Sequence, residues 1–307
     1  MPVQRWRTAP FSIRRVFQYI RKGRAAEALE AEAPQAFPPG HYYSPIPSLA
    51  ETQKREKWIF NRPISIPAID LNESGQRETL AALAVHFPLI ELSQEKRDGA
   101  RFFWNNPNFM LGEAIIYAAM LRHVQPRRVI EVGSGYTTLL LLDTLDQMQS
   151  WETKVTCIEP YPELLKSLLS CEDVTRVRVH GCSAQDADPT WFDALEAGDI
   201  LFVDSTHVCK AGSDVNFILF EILPRLDSGV HVHFHDVYYP FEYPKDWVLG
   251  GRNWNEAYLL RAFLQYNTEF TITCFNSYLG QIHPEWFQDT YPMFLRRPSS
   301  SLWLKKA

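Results

Sequence analysis

One short stretch, from Arg128 to Thr138, limits what this chain can fold into more than any other. It combines an apolar strand-like run, a turn with glycines at 133 and 135, and the apolar start of a helix. Because glycine has no Cβ, such a turn bends sharply and lets a ligand approach the backbone. The helix behind it presents free N–H groups to the turn. This order is typical of doubly wound α/β sheets, which bind ligands beyond the carboxyl ends of their strands.

The turn differs from the glycine pattern of dinucleotide-binding folds, which requires a third glycine where this chain has Thr138. Glu131 also places a carboxylate at the end of the strand, which is unfavourable beside a pyrophosphate and favourable beside a cation. S-adenosylmethionine (SAM) carries an ammonium and a sulfonium and no phosphate. The stretch resembles the first motif of class I SAM-dependent methyltransferases, and the resemblance implies that the cofactor is bound by Glu131, Gly133, Ser134, Gly135 and Tyr136.

Strand-like and helix-like segments alternate after this turn, which predicts parallel strands joined by right-handed crossovers. Six further strands are expected, at 154–159, 174–180, 199–204, 229–235, 270–275 and 301–305. The predicted fold is therefore α/β, a doubly wound, mostly parallel seven-stranded sheet with a largely helical N-terminal extension. We expect the extension to span residues 1–97, with a proline-rich segment able to form a lid, and the catalytic domain to span 98–307.

Two later strand ends are expected to complete the cofactor site. Glu159 follows Gly135 at close to the ~20-residue interval at which an acid meets ribose hydroxyls. Ser183 and Ala184 follow the third strand, where the resemblance implies contact with adenine.

Acidic and histidine side chains follow the fourth and fifth strands, which end at the same edge of the sheet as the glycine turn. The fourth ends in Asp204, with His207 close behind, and the fifth ends in His235 and Asp236. Converging carboxylates of Asp204 and Asp236 can hold a divalent metal such as magnesium. The arrangement resembles that of catechol and sugar O-methyltransferases, although no third ligand is evident. The sequence leaves open that Asp204 orients the SAM amine instead.

His207 lies where this type of enzyme places its proton acceptor, and an imidazole can take the proton of a hydroxyl as the methyl group leaves sulfur. We therefore predict catalytic roles for His207 and Asp204. Side chains near the acceptor are expected to include His235, Tyr43, Trp254 and Asn255. The segment 41–47 resembles the leader of bacterial methyltransferases encoded among polysaccharide and natural-product genes, which implies a glycan or other small-molecule acceptor.

Composition indicates which partners and which cellular location are expected for this chain. A net charge of −5 disfavours a general nucleic-acid binder. Five scattered cysteines without a paired motif favour free thiols and a cytoplasmic location. No transmembrane segment is expected, residues 1–30 are predicted to form a basic amphipathic helix, and a homo-oligomer is compatible with the sequence.

Two other functions fit parts of the pattern. A nicotinamide-dependent oxidoreductase would use the same sheet, but the missing third glycine and Glu131 count against it. A non-catalytic SAM-fold protein could act as the partner of a biosynthetic enzyme through its basic N-terminal helix. Because Asp204, His207 and Asp236 are all present, a SAM-dependent methyltransferase that modifies an acceptor hydroxyl is the preferred interpretation.

Overall fold

The computed structural model describes residues 35–288, 290–296 and 300–307. It consists of two units, the first ending at Glu56 and the second spanning Lys57–Ala307. The basic helix expected within residues 1–30 lies outside the described residues. In the first unit the Ser48 hydroxyl accepts the Glu51 N–H and so caps a short helix. Within the described part of the chain, no helix has the length and apolar character needed to cross a membrane.

A seven-stranded sheet forms the centre of the second unit, in the order β3-β2-β1-β4-β5-β7-β6. Strand β7 runs antiparallel to β5 and β6, and the other pairs are parallel. This confirms the predicted mostly parallel, doubly wound sheet. The strands are β1 (Arg128–Val132), β2 (Lys154–Ile158), β3 (Val177–His180), β4 (Ile200–Val203), β5 (His231–Phe234), β6 (Phe270–Phe275) and β7 (Leu302–Lys306).

Helices pack around this sheet, and all four residues of β4 are buried, as expected for a central strand covered on both faces. Asp214–Phe217 continues into a π-helical stretch, Ile218–Ile222. The α-helices are α1 (Leu49–Lys54), α2 (Glu56–Ile59), α3 (Glu73–Ala84), α4 (Leu111–Val124), α5 (Tyr136–Met148), α6 (Glu163–Leu168), α7 (Asp173–Arg176), α8 (Asp214–Phe217), α9 (Lys245–Leu249), α10 (Glu256–Leu264), α11 (Asn276–Ile282) and α12 (Glu285–Gln288).

Residues 57–97 pack with the sheet, although the sequence assigned them to the N-terminal extension. Helix α3 buries Leu80 and Leu83. Just before it, the Asn72 amide donates to Ile272 O (2.9 Å), and the Gln76 side chain accepts the Phe275 N–H (2.6 Å). Both partners lie on β6, and the division between the two compact units falls after Glu56.

The third strand begins later than predicted, because residues 174–176 belong to the helical turn α7. Asp173 starts this turn, and its carboxylate accepts the Ser170 N–H (3.0 Å). The guanidinium of Arg101 binds the same carboxylate at 2.6 Å. This network joins residues far apart in the chain, so local strand propensity alone does not reveal it.

Candidate active site

The glycine turn brings the end of β1 against the end of β4. Gly133 has a φ of +81°, and a Cβ at this position would lie 1.8 Å from the Asp204 carbonyl oxygen. The Gly133 N–H donates to Ile158 O (3.0 Å), and the Asp204 N–H donates to Val132 O (2.8 Å). A Cβ on Gly135 would meet only Leu164, at 3.8 Å. Glycine is therefore required at 133 by the close approach of two strand ends.

Glu131 lies beneath this turn, with its carboxylate buried. It accepts the Thr138 hydroxyl at 2.5 Å, and the same hydroxyl accepts the Gly135 N–H at 3.3 Å. Burial raises the pKa of Glu131 to about 7 despite hydrogen bonds from Thr138, Cys157 and Tyr117. The carboxylate therefore fixes the shape of the turn from below. Thr138, at the position of the missing glycine, connects it to the helix start.

Glu159 lies beside the upper side of the turn. Its carboxylate accepts the N–H groups of Ser134 (3.2 Å) and Tyr161 (2.9 Å), and the side chain is partly exposed. The hydroxyl oxygens of Ser134 and Ser205, at the ends of β1 and β4, are buried without a hydrogen-bond partner among the described residues. Together these groups offer a carboxylate and two hydroxyls to a polar ligand.

The other predicted cofactor residues line the turn and the end of β3. The Tyr136 ring packs edge-on against Phe103 at 5.7 Å. The Ser183 hydroxyl donates to Asp186, and Ala184 is buried at the start of the helical turn between them. In the part of the chain that the structure describes, no hydrogen bond joins these side chains to Asp204 or His207, so their cofactor contacts stay a prediction.

Asp204 follows β4 directly, and its side chain is 30% exposed. Burial alone would raise its pKa, but the neighbouring His235, His207 and His233 lower the pKa to about 2. Asp204 is therefore ionised at neutral pH, whereas the pKa of Glu131 is about 7. Of these two acids, Asp204 is the one whose charge is available to a cationic ligand.

His207 is held between carboxylates on three sides. Its Nδ1 lies 2.9 Å from Glu256 Oε2, and its Nε2 lies 3.3 Å from Asp204 Oδ1 and 4.0 Å from Asp236 Oδ2. Burial would lower the pKa of His207, but hydrogen bonds to Asp204 and Glu256 raise it well above 6.5. The left-handed φ of +58° aims the imidazole into this cluster. The sequence placed Glu256 among polar side chains near the acceptor pocket, and its contact with His207 was not predicted.

His235 and Asp236 complete the cluster from β5. Asp236 also has a left-handed φ, of +54°, and Ser300 donates its hydroxyl to Asp236 Oδ1 at 3.1 Å. His235 Nε2 lies 3.7 Å from Asp236 Oδ1. Burial would lower the pKa of His235, but Asp204, Asp236 and the buried Glu113 raise it to about 9. The structure thus brings together the side chains predicted from the ends of β4 and β5.

The magnesium site predicted at Asp204 and Asp236 is not supported by the structure. Among the described residues, no group of three or more His, Cys, Asp or Glu side chains has an arrangement that could hold a metal ion. The two carboxylates are instead bridged by the His207 imidazole, whose Nε2 lies within 4.0 Å of both. The His207 imidazole, whose pKa is raised by Asp204 and Glu256, thus lies between the two acids at which the metal was predicted.

Trp254 and Asn255, predicted to contact an acceptor, hold the loop that carries His207. The Trp254 ring packs against His207 at 4.4 Å. The Asn255 side chain accepts the Cys209 N–H (2.6 Å) and donates to Cys209 O (3.2 Å). Tyr43, the fourth predicted acceptor residue, belongs to the first unit. Its exposed ring contacts Tyr42 and Phe37 there.

A cavity of about 280 Å³ is lined in part by the segment that follows Asp236 in the sequence, residues 238–245. Its lining combines aromatic rings with amide and charged groups, including Tyr238, Tyr239, Tyr243, Phe294, Asn61 and Gln281. The Gln281 side-chain oxygen is buried without a hydrogen-bond partner among the described residues. Aromatic walls with a few polar groups are typical of small-molecule sites.

Comparison with known proteins agrees with this arrangement. Residues 130–237 match the model of a family described as a methyltransferase domain. This range includes the glycine turn, Glu159, Asp204, His207 and Asp236. An uncharacterized protein of Archaeoglobus fulgidus is 30% identical over 176 residues, which cover 55% of this chain and 78% of that protein.

Solved structures with a similar course of the chain include two at 15% sequence identity. One is the methyltransferase PaMTH1 of Podospora anserina with bound S-adenosylhomocysteine (SAH), with a TM-score of 0.43, covering 86% of this chain and 99% of that one. The other is a DUF574 family protein of Streptomyces avermitilis, with a TM-score of 0.41, covering 63% and 80%. The fold assignment itself depends on the strand order described above.

Proposed function

We propose that this chain, whose residues 130–237 match a methyltransferase domain, transfers the methyl group of SAM to a hydroxyl of a small-molecule, sugar or natural-product acceptor. The position of His207 is the observation that supports a hydroxyl as the group that receives the methyl. Its imidazole lies at the carboxyl edge of the sheet, oriented by Glu256 and next to Asp204 and Asp236. An oriented imidazole is the usual means of taking a proton from a hydroxyl.

The residues around the glycine turn fit SAM. Asp204 offers an ionised carboxylate to its cationic end, and Glu159 offers a carboxylate to the ribose hydroxyls. The unpartnered hydroxyls of Ser134 and Ser205 provide two further polar groups. SAM supplies a methyl group activated by a positively charged sulfur.

The proposed transfer needs a proton acceptor and no redox partner. The acceptor oxygen forms the new C–O bond, the electrons of the broken C–S bond stay on sulfur, and the hydroxyl proton passes to His207 Nε2. His207 must be neutral to accept it, yet its pKa lies well above 6.5 while Asp204 and Glu256 hold it. A cationic ligand beside Asp204 would weaken this hold and lower the pKa of His207.

The acceptor is proposed to occupy the cavity lined by residues of the segment that follows Asp236, with its hydroxyl directed to His207. The aromatic rings of Tyr238, Tyr239 and Tyr243 suit a flat or carbohydrate ring, and the Gln281 oxygen can accept one of its hydroxyls. We propose a small molecule or glycan unit rather than a nucleic acid. The described cysteines are free, which supports the proposed cytoplasmic location.

Calorimetric titration of SAM and SAH into chelator-treated protein, followed by an acceptor screen, tests this proposal. We expect both compounds to bind, and methyl transfer to phenols or sugars but not to amines of the same shape. Mass spectrometry of the products identifies the methylated atom. Binding of SAH with transfer only to nitrogen would disprove O-methylation, and no binding of either compound would disprove the cofactor assignment.

Glu159→Gln should weaken SAH binding by about 10- to 100-fold, because a neutral amide replaces the carboxylate proposed to accept from ribose. Glutamine keeps one of the two carboxylate oxygens, so either the Ser134 N–H or the Tyr161 N–H would also lose its acceptor. The measurement is the SAH dissociation constant by calorimetry. Glu152→Gln, at an exposed acid preceding β2 at the opposite edge of the sheet, is the matched control and should bind like wild type. Equal affinity in both variants would contradict the ribose assignment.

A further inference from the structure

Arg252 is held between two tryptophan rings close to the candidate active site. The centre of its guanidinium lies 3.9 Å from the Trp247 ring centroid and 4.6 Å from that of Trp254. The two indoles are nearly perpendicular, at 86°. Gly251, with a φ of +84°, turns the chain just before the arginine. The Arg252 N–H then donates to Trp247 O at 2.9 Å.

The two tryptophan rings hold the Arg252 guanidinium, while its N–H donors have no acceptor among the described residues. Arg252 is exposed, and among the described residues no carboxylate forms an ion pair with it and no acceptor hydrogen-bonds to its side chain. By contrast, Arg101 and Arg128 each bind acids through two or more contacts. Stacking on aromatic faces leaves the N–H edges of a guanidinium free, and these edges match a carboxylate or phosphate in bidentate geometry.

Trp254 connects this arginine directly to the proposed base. One indole contacts both the Arg252 guanidinium and, at 4.4 Å, the His207 imidazole. The same aromatic cluster continues to the cavity wall, because Tyr243 packs on Trp254 at 6.1 Å and Tyr238 packs on Trp247 at 5.5 Å. An anion bound by Arg252 would therefore lie one ring away from the imidazole.

We propose that Arg252 is a specificity-determining residue that binds an anionic group of the acceptor, a carboxylate or a phosphate, while the acceptor hydroxyl reaches His207. This inference rests on the proposed function and names the substrate class of that same site. Asp204, Asp236 and Glu256 lie around His207 and would repel an anionic acceptor. Arg252 offers a cation against the same Trp254 ring that contacts His207. Trp247 and Trp254 hold the cation, and Trp254 sets its spacing from the base.

Direct binding of simple anions tests the proposal without a known acceptor. Benzoate, its neutral isostere benzamide, and inorganic phosphate are titrated into wild type and Arg252→Gln, each with and without saturating SAH. Tryptophan fluorescence and saturation-transfer NMR report binding. We expect benzoate or phosphate to bind wild type at least about tenfold more tightly than benzamide, and Arg252→Gln to lose about tenfold in affinity. Preference for benzoate identifies a carboxylate, and preference for phosphate a phosphate.

Two further variants separate anion binding from a packing role. Arg252→Lys keeps the charge and loses the planar fork, so its anion affinity should fall between wild type and Arg252→Gln. Arg127→Gln removes an 85% exposed arginine at the opposite edge of the sheet and should bind anions like wild type. If wild type binds neither anion, or if Arg252→Gln binds them equally and only melts at a lower temperature, the proposal is wrong. Failure of SAH to bind would refute the proposed function separately.

Discussion

Gly133→Ala should destabilise the protein and abolish measurable SAH binding. The native φ of +81° is unfavourable for alanine, and the new Cβ would lie 1.8 Å from the Asp204 carbonyl oxygen. Strain and forced separation of β1 from β4 should together cost about 3 kcal/mol or more. At about 2–4 °C per kcal/mol for a chain of this size, thermal unfolding should begin several degrees lower. Differential scanning calorimetry measures the shift.

A second glycine variant controls for the general effect of adding a methyl group. Gly181 follows β3, has no positive φ, and has no atom within 4 Å of where its Cβ would be. Gly181→Ala should therefore keep the wild-type melting temperature. A Gly133→Ala protein that melts and binds SAH like wild type would show that the turn can open without cost, contrary to the close approach seen here.

The course of the sheet could be predicted because its signals are local. Residues 270–275 form β6 as predicted, and the solid apolar run at 200–203 forms β4. Elsewhere a long-range contact decided the outcome. The strand predicted from residue 174 starts at Val177 because Arg101 and Ser170 stabilise a helical turn at Asp173. Residues 174–176 alone give no sign of the contact between Asp173 and Arg101, which lie 72 positions apart in the chain.

The site residues were predictable by position, and their electrostatic partners were not. Strand ends placed Asp204, His207 and Asp236 at one edge, because parallel strands share it. Glu256 binds His207 where the Asn255 amide joins the start of α10 to the loop after β4. That contact, and the charge balance it creates, depends on tertiary packing. It also explains why two acids that suggested a metal are instead bridged by an imidazole.

His207→Asn should lower turnover about 10²- to 10⁴-fold, which is the usual contribution of a general base. Asparagine tolerates the left-handed backbone that His207 adopts, at a φ of +58°, so the loop should keep its shape. SAH affinity should change little, because Asp204 and Glu159 remain. The measurement is kcat with any acceptor found in the screen. His123→Asn, at an exposed histidine in α4, is the control and should turn over like wild type.

The pH dependence of both variants tests the same assignment. The pKa of His207 is raised in the folded protein, so the stability it contributes is complete below pH 6.5 and is lost as pH rises through the folded pKa. The stability gap between wild type and His207→Asn should thus be largest near pH 6 and shrink in alkaline buffer. Over the same range the kcat/KM of wild type should rise, since only neutral imidazole accepts a proton.

Urea unfolding at a series of pH values measures the first trend, and initial rates with excess SAM measure the second. The stability trend should follow a His207 pKa above 6.5. The rise in rate should occur at lower pH, because bound SAM weakens the hold of Asp204 on His207. This rise should be absent in His207→Asn and present in His123→Asn. If kcat/KM still rises with pH in His207→Asn as it does in wild type, the titrating group is another residue. His235 is then the next candidate, because Asp204, Asp236 and Glu113 raise its pKa as well, to about 9.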